Sequence, residues 1–153
     1  MPELPVHVRP GTAADLPAVF ALVRELAAYE RAADAVTVDL ATYERDFAAG
    51  RFSLLVAERR GGAADSLGMM LFYPAYSTWK GPMLYLEDFV VAEGARGRGV
   101  GRALWTALVA EARRREAVLI KWEVLAWNEP ARAFYRAAGA ELEPGWENGK
   151  LFL

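Results

Sequence analysis

Between Leu84 and Arg102 the chain reads LYLEDFVVAEGARGRGVGR. Leu84 to Val91 is apolar and rich in strand formers, with Glu87 and Asp88 set into its middle. From Val100 onward, Val100, Leu104, Leu108 and Ala112 recur at the spacing of one helix face. Between the two patterns lie Arg96, Gly97, Arg98, Gly99 and Gly101. Glycines let a backbone turn tightly and approach a ligand closely. A helix start presents unpaired N–H groups and a partial positive charge, and so binds phosphate readily. Arg96, Arg98 and Arg102 add formal charge at the same place. A strand, a turn and a helix are therefore expected in succession, and on these residues alone the turn reads either as a phosphate-binding loop or as a solvated connection. The turn is not a Walker loop, which ends in Gly-Lys-Ser/Thr. It is not a dinucleotide fingerprint either, because Arg102 stands where a third Gly or Ala is required.

Other function classes are excluded by what the chain lacks. It has 153 residues, the size of one domain, and its hydrophobic fraction of 54% fills a substantial core. A formal net charge of −2 provides no global basic footprint for nucleic acid. There is no cysteine, so a thiol nucleophile and thiolate metal sites are unavailable. His7, the only histidine, excludes a multi-His metal site and is read as structural. No stretch approaches the ~20 apolar residues of a membrane span, and the N-terminus does not read as a signal peptide. The expectation is a cytoplasmic protein with no metal, nucleic-acid or membrane partner.

In order, a strand is expected over Leu4 to Arg9 and a helix from Asp15 to about Arg31, after a T-x-x-D start at Thr12. Asp39 caps a second helix ending near Gly50. Strands follow over Phe52 to Glu58 and Leu67 to Tyr73, joined by a turn from Arg60 to Ser66. Pro74 interrupts, and Tyr76 to Lys80 reads as irregular. After the central strand and its helix, Val118 to Leu125 reads as another strand. Asn128 caps a short helix with Pro130 in its first turn and Gly139 after its end. Ala140 to Glu143 and Lys150 to Leu153 read as a final hairpin. This order describes an α/β (α+β) domain with helices packed on a mixed sheet.

The turn Arg96-x-x-Gly99-x-Gly101, following an apolar strand and opening a helix, resembles the acetyl-CoA pyrophosphate loop of the GNAT N-acetyltransferases. LYLEDFVV and WNEPARAFYRAAGA resemble one branch of them, the diamine (spermidine/spermine) acetyltransferases and the thialysine acetyltransferases. The similarity runs from HVRPGTAADL through RELAAYE to GWENGKLF. It implies a mostly antiparallel central sheet with helices on both faces, in a single acetyl-CoA-dependent domain spanning residues 1–153. It also implies a homodimer.

The resemblance assigns roles residue by residue. Phe89, Val90 and Val91 would offer backbone groups to the pantetheine arm. Arg96, Gly97, Arg98, Gly99, Val100, Gly101 and Arg102 would hold the pyrophosphate. Asn128, Glu129, Pro130 and Ala131 would complete the cosubstrate site. Tyr135 would be the general acid, although helical spacing alone reads it as a core aromatic. Glu87 would be the base, directly or through water. Tyr29, Glu30, Trp79, Glu87, Asp88, Lys121, Trp122 and Glu123 would face the acceptor amine. An ammonium suits carboxylates and aromatic faces. As neighbours on a strand, Glu87 and Asp88 are expected to point to opposite faces.

The chain departs from the branch at two places. Ser77 and Thr78 stand where an acidic residue often precedes Trp79, and Pro144 and Gly145 stand ahead of Trp146. The acceptor is read as a polyamine, thialysine or an amino-acid-like amine; the departures weigh against a polyamine and leave a smaller amine, an amino-acid side chain or an aminoglycoside-like compound open. Two alternatives remain: a peptide or protein N-acetyltransferase, and a non-catalytic acyl-CoA-binding module.

Overall fold

Alternation of apolar side chains along the middle of the chain builds a sheet with two covered faces. A computed structural model describes residues 2–61 and 65–153. The chain forms two units, Met1–Trp122 and Glu123–Leu153. In the first, strands β1 (Val6–Pro10), β2 (Ser53–Arg59), β3 (Ser66–Ser77), β4 (Gly81–Val91) and β5 (Leu119–Lys121) lie in sequence order. The first four are antiparallel, and β5 joins β4 in parallel. Helices α1 (Leu16–Tyr29) and α2 (Leu40–Ala48) precede β2, and α3 (Val100–Arg114) joins β4 to β5.

Neighbouring residues on β2 and β3 divide between the two layers, as the period of a strand requires. Leu55, Met70, Phe72, Leu84 and Leu86 pack with Val100, Leu104 and Leu108 of α3. Leu54, Met69, Leu71 and Val90 pack with Leu16, Val19, Leu22 and Val23 of α1, and Tyr43 and Phe47 of α2 join them. The expected strands and helices in this unit are present, with helices on both faces. Asp39 caps α2, its carboxylate accepting from Thr42 N at 2.9 Å. Part of the expected turn, residues 62–64, lies outside the described residues.

Several boundaries differ from expectation. β3 runs through Pro74 to Ser77 rather than stopping at Tyr73. The β2 ladder ends at Ser53–Phe72, so beyond it β3 has no β2 neighbour, and an edge tolerates proline. β4 begins at Gly81, and a tight turn replaces the irregular stretch before it. β5 spans three residues rather than Val118 to Leu125. Its ladder ends at Tyr85–Lys121, just before a bulge in β4, and bulges bend strands and terminate pairing.

In the second unit, α4 (Glu129–Ala137) is capped by Asn128, which accepts from Ala131 N at 3.4 Å. Gly139 closes it with φ of 84°. The expected final hairpin is absent among the described residues: 140–143 and 150–153 carry no strand. A lone pair of four-residue strands is marginal without a sheet to join.

Candidate active site

The bulge in β4 determines how the site is arranged. Leu71 on β3 pairs with Asp88, while the next residue, Phe72, pairs with Leu86, so Glu87 is the extra residue. Leu86 and Phe89 both pack on the α3 layer, which turns the two residues between them to the other face. The expectation that Glu87 and Asp88 oppose each other is therefore overturned. A regular pleat would separate them, and the bulge shifts its phase. Tyr73 and Tyr85, paired across the strands, share that face. Their rings stack at 5.5 Å, and the Tyr73 hydroxyl donates to Glu87 Oε2 at 2.9 Å.

Glu30, just after α1, faces the same cluster. Asp88 is partly buried, and burial first, then the charges of Glu87 and Glu30, push its carboxyl up to about 6. Burial also pushes Glu30 above the usual carboxylate range. The phenol of Tyr43 is raised to about 12, by burial and then by Asp88 and Glu87. Desolvation disfavours the charged form of an acid, and like charges add to it. Carboxylates and aromatic faces are the groups to which a cation is drawn.

Further along β4, the backbone of Phe89, Val90 and Val91 is laddered to β3. The β5 ladder ends at Tyr85, so it does not reach these residues. Arg96 Nε donates to the Val91 carbonyl at 3.1 Å, and its guanidinium lies 3.4 Å from Glu25. Gly97 and Gly99 hold φ of 70° and 86°, left-handed values that strain other residues. Gly99 is the N-cap of α3 and places no side chain over the helix start, whose first turn holds no acidic residue. The first N–H groups of the helix, at Val100, Gly101 and Arg102, point outward beyond this cap. Arg98 Nε donates to the Pro2 carbonyl at 3.4 Å, and Arg102 pairs with Glu3 at 3.3 Å.

Trp79 lies at the β3–β4 turn and is 87% exposed. Trp122 packs edge-on to Trp105 at 5.3 Å, against the α3 layer. Lys121 pairs in register with Tyr85 on β4. In the second unit, Tyr135 and Asn128 are buried, and Phe134 meets Tyr135 edge-on. Glu129 pairs with Arg136 at 2.6 Å, Pro130 sits in the first turn of α4, and Glu123 accepts from Asn148 Nδ2 at 3.0 Å. Tyr73, Tyr85, Tyr43 and Glu25 were missed by sequence reasoning. The i, i+2 spacing of Tyr85 and Glu87 was the one available signal. A separate groove of about 470 Å³ includes Phe47, Phe52, Phe72 and Arg115 in its lining. Its Glu111 is already engaged by Arg114 and Arg115, each at 2.6 Å.

Residues 19–140 match the model of the acetyltransferase (GNAT) family, to which this chain belongs. It is an N-acetyltransferase. The thialysine N-epsilon-acetyltransferase of Bos taurus is 33% identical over 143 residues, 89% of this chain and 84% of that protein. Its Caenorhabditis elegans counterpart is 34% identical over 133 residues, 85% and 78% of the two chains. The human spermidine/spermine N(1)-acetyltransferase-like protein 1 is 30% identical over 92% of this chain, which spans 21% of that protein. The fold is similar to a crystal structure of an aminoglycoside acetyltransferase from an uncultured soil metagenomic sample. That likeness has a TM-score of 0.79 at 18% identity and covers 97% of both chains.

Proposed function

We propose that the whole chain, residues 1–153, acts as one domain that transfers an acetyl group from acetyl-CoA to a primary amine of a small molecule. The observation that carries this is the gathering of Glu30, Glu87 and Asp88 on one face of β4, whose C-terminal end leads into the anion-binding start of α3. The amine would be a polyamine, thialysine or an amino-acid-like compound, as the names of the relatives suggest. A cytoplasmic homodimer belongs to the same proposal and rests on the family resemblance.

The residues present suit acetyl-CoA. The left-handed glycines and uncapped start of α3 suit a pyrophosphate, with Arg96, Arg98 and Arg102 around it. The edge of β4 beyond Tyr85 offers backbone groups to an extended amide-bearing arm. By resemblance, Asn128 to Ala131 contribute to the same site. When bound, acetyl-CoA supplies an acetyl thioester.

The remaining chemistry falls to the protein. An alkyl ammonium has a reference pKa of about 10.4 and cannot attack until it loses a proton. The carboxylate pair of β4 draws the ammonium in, and Glu87 accepts the proton, directly or through water. By the same resemblance, the phenol of Tyr135 would donate the proton that the departing sulfur takes up.

A thiol-release assay tests this reading with acetyl-CoA and spermidine, spermine, putrescine, lysine, thialysine and a short peptide. Wild type is run beside Tyr135→Phe. The expected result is turnover of one small amine and a loss of about 10²-fold in kcat in the variant. Turnover of the peptide alone would move the reading to a protein acetyltransferase. Binding of acetyl-CoA with no turnover would leave only the binding module.

A further inference from the structure

The segment ahead of β1 lies against the start of α3. β1 begins with Val6 opposite Arg59, the last residue of β2, and β4 ends with Val91 opposite Gly68. Both β2 and β4 are antiparallel to β3, so the approach to β1 and the exit from β4 share one end of the sheet. Three hydrogen bonds fix the segment there. Leu4 N donates to the Arg98 carbonyl at 3.1 Å, Arg98 Nε to the Pro2 carbonyl at 3.4 Å, and Arg60 N to the Pro5 carbonyl at 2.8 Å. The Leu4 side chain is buried in the α3 layer, in one cluster with Ala95 and Val100. Pro2 and Pro5 restrict the backbone on either side.

Glu3 is held between these anchors, and its side chain reaches the helix start. A Cβ on Gly99, the N-cap of α3, would lie 3.6 Å from Glu3 Cδ and 3.7 Å from its Oε1. The same Oε1 pairs with Arg102 at 3.3 Å. The first turn of α3 has no acid of its own. Glu3 therefore supplies, from a distant part of the sequence, the anion that the positive end of a helix favours. The two side chains are 72% and 78% exposed, so the pair is weak and separable.

We propose that Glu3 is an internal stand-in for a phosphate group. In the free protein its carboxylate engages Arg102 and the start of α3. A pyrophosphate arriving at the same turn either displaces it or binds beside its charge. The proposal rests on the reading of this turn as the pyrophosphate site of acetyl-CoA. Displacement needs only a rotation of the Glu3 side chain, while the backbone anchors at Leu4 and Pro5 stay in place. Glu3 thus acts with opposite signs on two properties: it stabilises the free chain and weakens cosubstrate binding. The charge that opposes entry also favours departure of CoA, which carries the same pyrophosphate.

The test is calorimetric titration of the full chain with three probes: acetyl-CoA, inorganic pyrophosphate, and S-acetylpantetheine, which has the thioester arm and no phosphate. Wild type is compared with Glu3→Gln, Arg102→Ala and the double variant. Glu44→Gln, at an exposed acid of α2, controls for net charge. Glu3→Gln should tighten acetyl-CoA and pyrophosphate about threefold at low salt, and less at high ionic strength. It should leave S-acetylpantetheine unchanged. The gain should shrink in the Arg102→Ala background, because part of it runs through that guanidinium. The Tm of free Glu3→Gln should fall even as its affinity rises, whereas a merely structural role would lower both. Unchanged or weaker binding in Glu3→Gln overturns the proposal. So does an equal gain on S-acetylpantetheine or in Glu44→Gln. If wild type binds pyrophosphate but not acetyl-CoA, the cosubstrate reading fails while the pyrophosphate titrations still judge Glu3. Binding of neither overturns both.

Discussion

The guanidinium of Arg96 stands 5.3 Å over the ring of Tyr29. One side chain thus spans from the turn ahead of α3 to the end of α1, where Glu30 faces the acidic cluster. The same guanidinium reaches Glu25, whose carboxylate also accepts from Glu93 N at 3.1 Å. Arg96→Ala should weaken acetyl-CoA binding about tenfold, the scale of one charge-assisted hydrogen bond. It should also raise the amine KM by freeing Tyr29. Calorimetric titration and steady-state kinetics on the same variant check both effects, and unchanged amine KM would show that the two ends are not coupled.

Gly68 on β3 lies opposite Val91 in the β3–β4 ladder. A Cβ there would meet the Val90 carbonyl oxygen at 2.6 Å and Val91 Cα at 3.2 Å, both backbone. Backbone cannot swing away as a side chain can. Gly68→Ala should cost about 1–3 kcal/mol, the usual scale of overpacking. The midpoint of urea unfolding reads it. Gly94→Ala, where a Cβ meets nothing within 4 Å, is the control and should change little.

Asp88 should reduce stability at neutral pH. Its folded pKa, about 6, exceeds the unfolded value. Ionisation therefore favours the unfolded chain, and stability falls as pH rises from about 4 through about 6. Asp88→Asn should raise stability at pH 7.5 by about 2 kcal/mol, or several degrees in Tm, and change it little at pH 4. Thermal unfolding at the two pH values is the measurement. Equal shifts at both would mean the charge is not responsible.

The opposite sign holds at Asp15. Arg9 donates to both of its oxygens at 2.8 Å and holds its carboxyl down at about 2. The stabilisation is full above about 4 and is lost as pH falls through about 2. Arg9 also pairs with Glu58 on β2 at 3.1 Å, tying β1, β2 and the start of α1 together. Asp15→Asn should cost about 2 kcal/mol at pH 7 and progressively less below pH 4, read by urea unfolding across that range.

Much of this architecture is legible in the residues. The stripe Val100, Leu104, Leu108 and Ala112 is the buried stripe of α3, and Asp39 and Asn128 are the caps they were expected to be. Gly97 and Gly99 of the turn adopt the left-handed values that glycine permits. The facing of Glu87 and Asp88 was not legible. A bulge depends on which residue of β3 lies opposite, and adjacency in sequence carries no trace of it. Tyr73 escaped notice for the same reason: fourteen positions separate it from Glu87, and only the register brings them to 2.9 Å. Pro74 misled in the other direction, because its effect depends on whether a neighbouring strand is there to lose a hydrogen bond. The final hairpin failed because alternation in four-residue segments does not supply a partner.

The bulge also bears on how such a site can arise. Ahead of Glu87 the even-numbered residues of β4 face α3; beyond Asp88 the odd-numbered ones do. Removing either acid outright, rather than replacing it, would restore one unbroken parity and return Phe89 and Val91 to the same layer. The core would survive with a single carboxylate. Conversely, inserting one codon into a regular strand creates a pair of acids side by side without disturbing the layers. In a strand built this way, a receptacle for a cation can be gained or lost through the length of the gene, independently of the substitutions that maintain the fold.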